Sequence, residues 1–145
     1  MRIAYILIFC LTFCCFGFSQ NHVSWTFEYD HTTKKVMCYG RIDEHWHVYS
    51  DRTNRNAGPI PVSFTFTKNS DAKQKGKPEE SGIPIKLFDP NFEAEVFLFE
   101  NIYIVEVPFK VKKPTVIKGF VNYMACDDKM CLPPIDVPFS IDAKP

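Results

Sequence analysis

Two thiols, Cys126 and Cys131, bracket the tetrapeptide Asp127-Asp128-Lys129-Met130 near the end of the chain. A pair this close can close a disulfide within one turn. The resulting ring is a weak staple, because the entropy a cross-link removes from the unfolded chain grows with loop length. It amounts to only about 2 kcal/mol for a loop this short. Opening it disturbs little else, so the spacing suits thiol–disulfide exchange. Two other chemistries remain open to the same residues. One is a purely structural bridge. The other is Cu(I) capture, since Met124, Cys126, Met130 and Cys131 are soft ligands and His45 and His47 would share a strand face. Thioethers also commonly pack beside such a pair without binding metal.

The charges around the thiols argue against a strongly activated nucleophile. Asp127 and Asp128 disfavour a thiolate at Cys126, Lys129 offsets them in part, and no His or Arg adjoins either cysteine in sequence. Such a pair is better suited to being attacked by a partner's low-pKa thiol and passing the electrons on. Pro133-Pro134 then fixes two φ angles just beyond Cys131 and removes two N–H donors, a stiff exit for the second sulfur.

The compartment follows from the N-terminus. Arg2 precedes an almost wholly apolar run, Ile3 to Phe16, and Gly17-Phe18-Ser19 offers small residues before a cut. Residues 1–19 read as a secretory signal peptide, leaving a domain of residues 20–145 that is periplasmic or otherwise exported. Cys10, Cys14 and Cys15 leave with the signal, so Cys38, Cys126 and Cys131 remain. An odd count leaves one thiol over, and Cys38, in the strand-like Lys35–Gly40, is the one expected to stay buried and free. Without Arg2 the chain carries 16 basic and 17 acidic residues, a balance that gives no electrostatic case for nucleic acid.

The elements that must position the thiols read as strands. Apolar alternation marks Val23–Tyr29, Val36–Ile42, His45–Tyr49, Val62–Thr67, Ile102–Val111, Val116–Met124 and Ile135–Ile141, with shorter candidates at Ile83–Phe88 and Val96–Phe99. Turn residues separate them, and no segment carries a helical stripe. The pattern predicts an all-β fold, an immunoglobulin-like antiparallel two-sheet sandwich. Pro61, Pro84, Pro108 and Pro138 should fall on edges or bulges. The charged stretch Lys68–Gly82 reads as a solvated loop. The cysteine pair would leave one late strand and enter the connection to the last.

Val121-Asn122-Tyr123-Met124-Ala125-Cys126, with Cys131-Leu132-Pro133-Pro134, resembles the N-terminal periplasmic domain family of the thiol:disulfide interchange protein DsbD. His45–Ser50, Gly58–Val62 with Phe64 and Phe66, and Asp89–Glu93 look like that family's aromatic strand, its next strand and its cap loop. The resemblance implies an immunoglobulin-like sandwich that works as a protein thiol:disulfide oxidoreductase or electron carrier without a cofactor. Cys126 and Cys131 would be the exchanging pair. Phe92 would cap the disulfide, Asp89 and Glu93 would be neighbouring acids, and His47 and Tyr49 would lie near the site. Thioredoxin-fold proteins would be both donor and acceptor, including those serving cytochrome c maturation. A separate membrane-embedded protein would supply the electrons. The spacing departs from the family's better-studied members, which have one more residue between the cysteines.

An exposed redox pair in an oxidising compartment would react with any thiol, so a relay needs a gate, and Phe92 in its turn is the candidate. Its plainer role is an aromatic tucked into the core. A partner-binding sandwich whose disulfide is structural remains the alternative to the relay.

Overall fold

The computed structural model describes residues 21–145; the segment expected to be a signal peptide, with Cys10, Cys14 and Cys15, lies outside the described residues. Twelve strands follow in order: β1 (Val23–Asp30), β2 (Lys35–Ile42), β3 (His47–Tyr49), β4 (Ser63–Phe66), β5 (Ala72–Gln74) and β6 (Glu79–Ser81) form the first half. The second half is β7 (Ile85–Asp89), β8 (Ala94–Glu100), β9 (Ile102–Val111), β10 (Thr115–Tyr123), β11 (Ala125–Cys126) and β12 (Ile135–Ala143). The only helical turn among the described residues is a short 3-10 segment at Arg55–Ala57.

The expected immunoglobulin-like antiparallel sandwich is present, built from three hydrogen-bonded ladders. One runs β1-β2-β9-β5, with β6 also on β9; the second runs β12-β10-β4; the third runs β11-β3-β8-β7. The chain passes from β10 into β11 through Met124 alone, so the second and third ladders meet where the cysteine loop begins.

Alternation decides what faces inward. Val36 and Cys38 of β2, Tyr103, Val105, Val107 and Phe109 of β9, Ile117, Val121 and Tyr123 of β10, and Phe139, Ile141 and Ala143 of β12 all enter one core. Period-two burial is what a strand with one wet face requires. β3 is different: all three of its residues are buried. Val48 joins the main core with Phe99 and Ala125, its cross-strand neighbours on β8 and β11. His47 and Tyr49 must therefore point to the opposite face, where something else covers them.

Three expectations need correction. Lys68–Gly82 is not a continuous loop, for β5 and β6 lie within it and pair with β9. Their short, polar edge sequences carry no alternation to reveal them, yet Ala72 is buried and Glu80 accepts hydrogen bonds from the Tyr103 hydroxyl at 2.6 Å and the Ser50 hydroxyl at 2.5 Å. Pro108 sits in the central strand β9 rather than on an edge. It is tolerated because it falls where the neighbour of β9 changes from β6 to β5, so the missing N–H costs no ladder bond there. His45 does not share a strand face with His47, because β3 starts at His47 and His45 takes φ 68° in the preceding turn.

Candidate functional site

The cysteine loop is a tight hairpin. Asp127 N–H donates to the Met130 carbonyl at 2.9 Å, and Leu132 N–H donates to the Ala125 carbonyl at 2.9 Å. The Asp127 carboxylate accepts from the backbone amides of Lys129 and Met130, both at 2.7 Å. Those two hydrogen bonds hold its carboxyl below the usual carboxylate range, with Lys129 adding to them. Asp127 is thus a turn former, which its position beside a thiol did not disclose. At the base of the hairpin Cys126 and Cys131 are joined as a disulfide, with Cα atoms 4.0 Å apart.

Cys38 is free and fully buried, and burial pushes its thiol up to about 12. It behaves as a small core hydrophobe.

The disulfide lies on the outer face of its ladder, away from the main core. Cys126 pairs with His47 on β3, and His47 pairs with Glu100 on β8. The next row on that face is Tyr49, Leu98 and Ile85. Cys126, Tyr49, Val96 and Leu98 form a second buried cluster, against which Phe92, Met124 and Cys131 pack. Cys126 is completely buried, whereas Cys131 is partly accessible.

Phe92 reaches this cluster from the turn Pro90–Glu93 that joins β7 to β8. Asp89 starts the turn by accepting from Asn91 N–H at 2.8 Å, and Glu93 closes it in the left-handed region at φ 51°. The Phe92 ring meets Tyr49 edge-on, with centroids 6.1 Å apart. From the other side it lies against Gly58. That glycine has φ 113°, and a Cβ there would collide with the ring. The Gly58-Pro59 pair resembles the family's sequence, but nothing in it announced that this glycine makes room for an aromatic 34 positions later.

A polar chain runs from Tyr49, which the Phe92 ring touches. The Tyr49 hydroxyl donates to Asp89 at 2.8 Å, and His47 Nε2 lies 3.2 Å from the same hydroxyl oxygen. Because Tyr49 spends its proton on Asp89, its oxygen is free to accept from His47 Nε2–H. Burial pushes the Tyr49 phenol up and the His47 imidazole down, so both are neutral near pH 7. Asp89 is itself buried. Of the seven site residues expected from sequence, Cys126, Cys131, Phe92, His47, Tyr49 and Asp89 come together here, and Glu93 is an exposed turn residue. No histidine adjoins either cysteine along the chain; cross-strand pairing sets His47 directly beside Cys126, near the site as the family resemblance implied.

The copper set is not assembled. The His45 side chain is 82% exposed in its turn, and Met130 points to solvent at 51% exposure. Among the described residues no cluster of His, Cys, Asp and Glu suits a metal ion.

A sequence profile described as "Thiol:disulfide interchange protein DsbD, N-terminal" matches residues 18–142. No curated protein sequence matches the chain. Among solved structures, the fold is similar to the reduced DsbD N-terminal domain of Neisseria meningitidis, with TM-score 0.64 and 16% identity over 86% of this chain and 87% of that one. It is similar also to the DsbD N-terminal domain in complex with the PilB N-terminal domain from Neisseria meningitidis, with TM-score 0.60 and 15% identity, covering 81% and 80% of the two chains. The N-terminal periplasmic domain of ScsB from Proteus mirabilis matches at TM-score 0.50 and 15% identity, over 84% of this chain and 45% of that one.

Proposed function

Because the chain belongs to the family of the DsbD N-terminal domain, we propose that it is an exported electron relay. Its Cys126–Cys131 pair would take electrons from one thioredoxin-fold protein and hand them to another. The observation that carries this reading is the placement of the disulfide: outside the main core, in a small separate cluster against which Phe92 packs from a single turn, its ring edge-on to Tyr49. A structural bridge gains nothing from such a lid. An exchanging pair gains protection from adventitious thiols, while Cys131 stays partly accessible.

The exchange balances as two successive displacements. A donor thiolate attacks one sulfur and the Cys126–Cys131 bond breaks, forming a mixed disulfide and releasing the other cysteine as a thiolate. The donor's second thiolate then resolves the mixed disulfide, so the donor is oxidised and this chain carries two thiols. Transfer to the client runs the same steps in reverse. Residues 1–19 would serve as the export signal, residues 20–145 as the relay domain, and the periplasm as the compartment. The electrons would enter through a membrane-embedded donor. The neighbour solved with the PilB N-terminal domain supports a folded protein, rather than a small thiol, as the partner.

Trapping tests the reading. With Cys131→Ser or Cys126→Ser, at least one remaining thiol should hold a thioredoxin-fold protein as a mixed disulfide in non-reducing lysates of the exporting cell. Adducts with neither variant, together with a reduction potential below about −300 mV, would mark the bridge as structural.

A further inference from the structure

The face that carries the disulfide continues past it as an open groove of about 290 Å³. Its apolar floor is Leu98 of β8 and Leu87 of β7, and its rim carries His47, Glu100, Asp127 and Asp128. β7 is the outermost strand of its ladder, so among the described residues no further strand extends this side. Leu87 is 38% exposed, and Ile85, on the same face one row nearer the disulfide, is 44% exposed. Apolar side chains left bare beside a reactive bond are what a docking surface looks like.

The charge on the rim is of one sign. Asp127 is committed to its turn and Asp89, at the end of the groove, to Tyr49. The carboxylates of Glu100 and Asp128 have no ion-pair or hydrogen-bond partner among the described residues. Among the described residues no Lys or Arg lines the groove; Lys129 of the hairpin acts on Asp127 from outside it, and the basic residue of β7, Lys86, is held by Glu95 at 2.9 Å. His47, only 8% exposed, forms the wall between the groove and Cys126. Its Nε2 is engaged by Tyr49, and its Nδ1 has no partner among the described residues.

We propose that this groove seats a segment of the relay's protein partner that carries an apolar residue beside a Lys or Arg, and so selects partners basic next to their reactive cysteine. The inference rests on the relay reading and adds to it the chemistry of the partner. Two unpaired carboxylates complement a cation, the Leu87–Leu98 floor takes the apolar neighbour, and the groove shares its wall with the exchanging sulfurs. Complementary charge at such a rim acts chiefly on encounter rate and choice of partner.

The test uses reduced cysteine peptides as probes, identical except for Arg-Leu, Gln-Leu or Glu-Leu placed after the cysteine. Second-order rates of reduction of the Cys126–Cys131 bond are measured at low and high salt, corrected for thiolate fraction and divided by the dithiothreitol rate on the same protein. The expected order is Arg above Gln above Glu, with about a fivefold span between the extremes at low ionic strength that collapses as salt screens it. Glu100→Gln with Asp128→Asn should flatten the order without lowering Tm, and E100K with D128K should invert it. Exchange without charge order, or an order that survives the double neutralisation, overturns the groove and leaves the relay standing. No exchange with any peptide or any thioredoxin-fold protein overturns both.

Discussion

The two buried clusters are made of the same residue types but enclosed differently. The main core lies between strand layers, and its members from β2, β9, β10 and β12 are covered on both sides by hydrogen-bonded backbone. The outer cluster holds four buried residues, one of them a cysteine, under a single turn. Opening the first requires separating layers. Opening the second requires moving one ring between Tyr49 and Gly58. Stability should therefore reside in the first cluster and control of reactivity in the second. Local opening free energies differ across a fold in just this way, with lids at the low end.

Truncation in the main core should give the largest loss. Ile117→Ala removes a fully buried side chain from β10 and should cost about 2–5 kcal/mol in a denaturant titration. The rate at which dithiothreitol reduces the disulfide under native conditions should not change. An equal rise in that rate would show that the two clusters open together. Cys38, packed in the same core, should resist alkylation in the folded protein for as long as Cys126 and Cys131, once reduced, are modified.

Replacing both cysteines of the pair by Ser should cost about 2 kcal/mol, the chain-entropy value for so short a loop. A loss of twice that, with no trapped partner, would move the bridge to the structural side of the comparison.

The cap should show the reverse pattern from the core. Phe92 is only half buried, so Phe92→Ala should lower stability by less than about 2 kcal/mol. Reduction by dithiothreitol should nonetheless accelerate several-fold. Gly58→Ala offers the same test without touching the ring, since its Cβ would displace Phe92, although φ 113° adds backbone strain of its own. A stability loss of about 3–5 kcal/mol for Phe92→Ala, at an unchanged reduction rate, would make it an ordinary core aromatic.

The smallest expected effect is on pH. Burial holds the folded pKa of His47 below its ordinary 6.5. As pH falls through 6.5 the unfolded chain takes up a proton that the folded chain refuses, so stability declines from there down to the folded pKa. His47→Gln should remove that part of the slope below pH 6.5 while keeping a donor for Tyr49. An unchanged slope would mean that His47 does not set the pH response of this cluster.

Much of this was readable beforehand, and the reason is periodicity. β1, β2, β9, β10 and β12 each bury one face, so alternation of Val, Ile, Phe and Tyr marks them to within two residues at either end. β5 and β6 escaped because short edge strands with polar side chains need no alternation to pair. The cysteine hairpin was legible as well, since two thiols at that spacing can hardly avoid each other, and the odd cysteine was assigned by the same count.

What the sequence by itself determined is thus an all-β domain with, among the described residues, one local disulfide and one spare thiol, because those facts depend on contacts between near neighbours and on patterns that repeat along the chain. What only the tertiary structure decided is the surroundings of that disulfide. His47 stands beside Cys126, Glu100 beside His47, and Gly58 beneath Phe92, through pairings that span between 34 and 79 positions of chain. Nothing in the local sequence around Cys126 carries those partners. They are set by which strands lie next to one another and in what register, and a shift of one residue would turn His47 and Tyr49 inward and Val48 out.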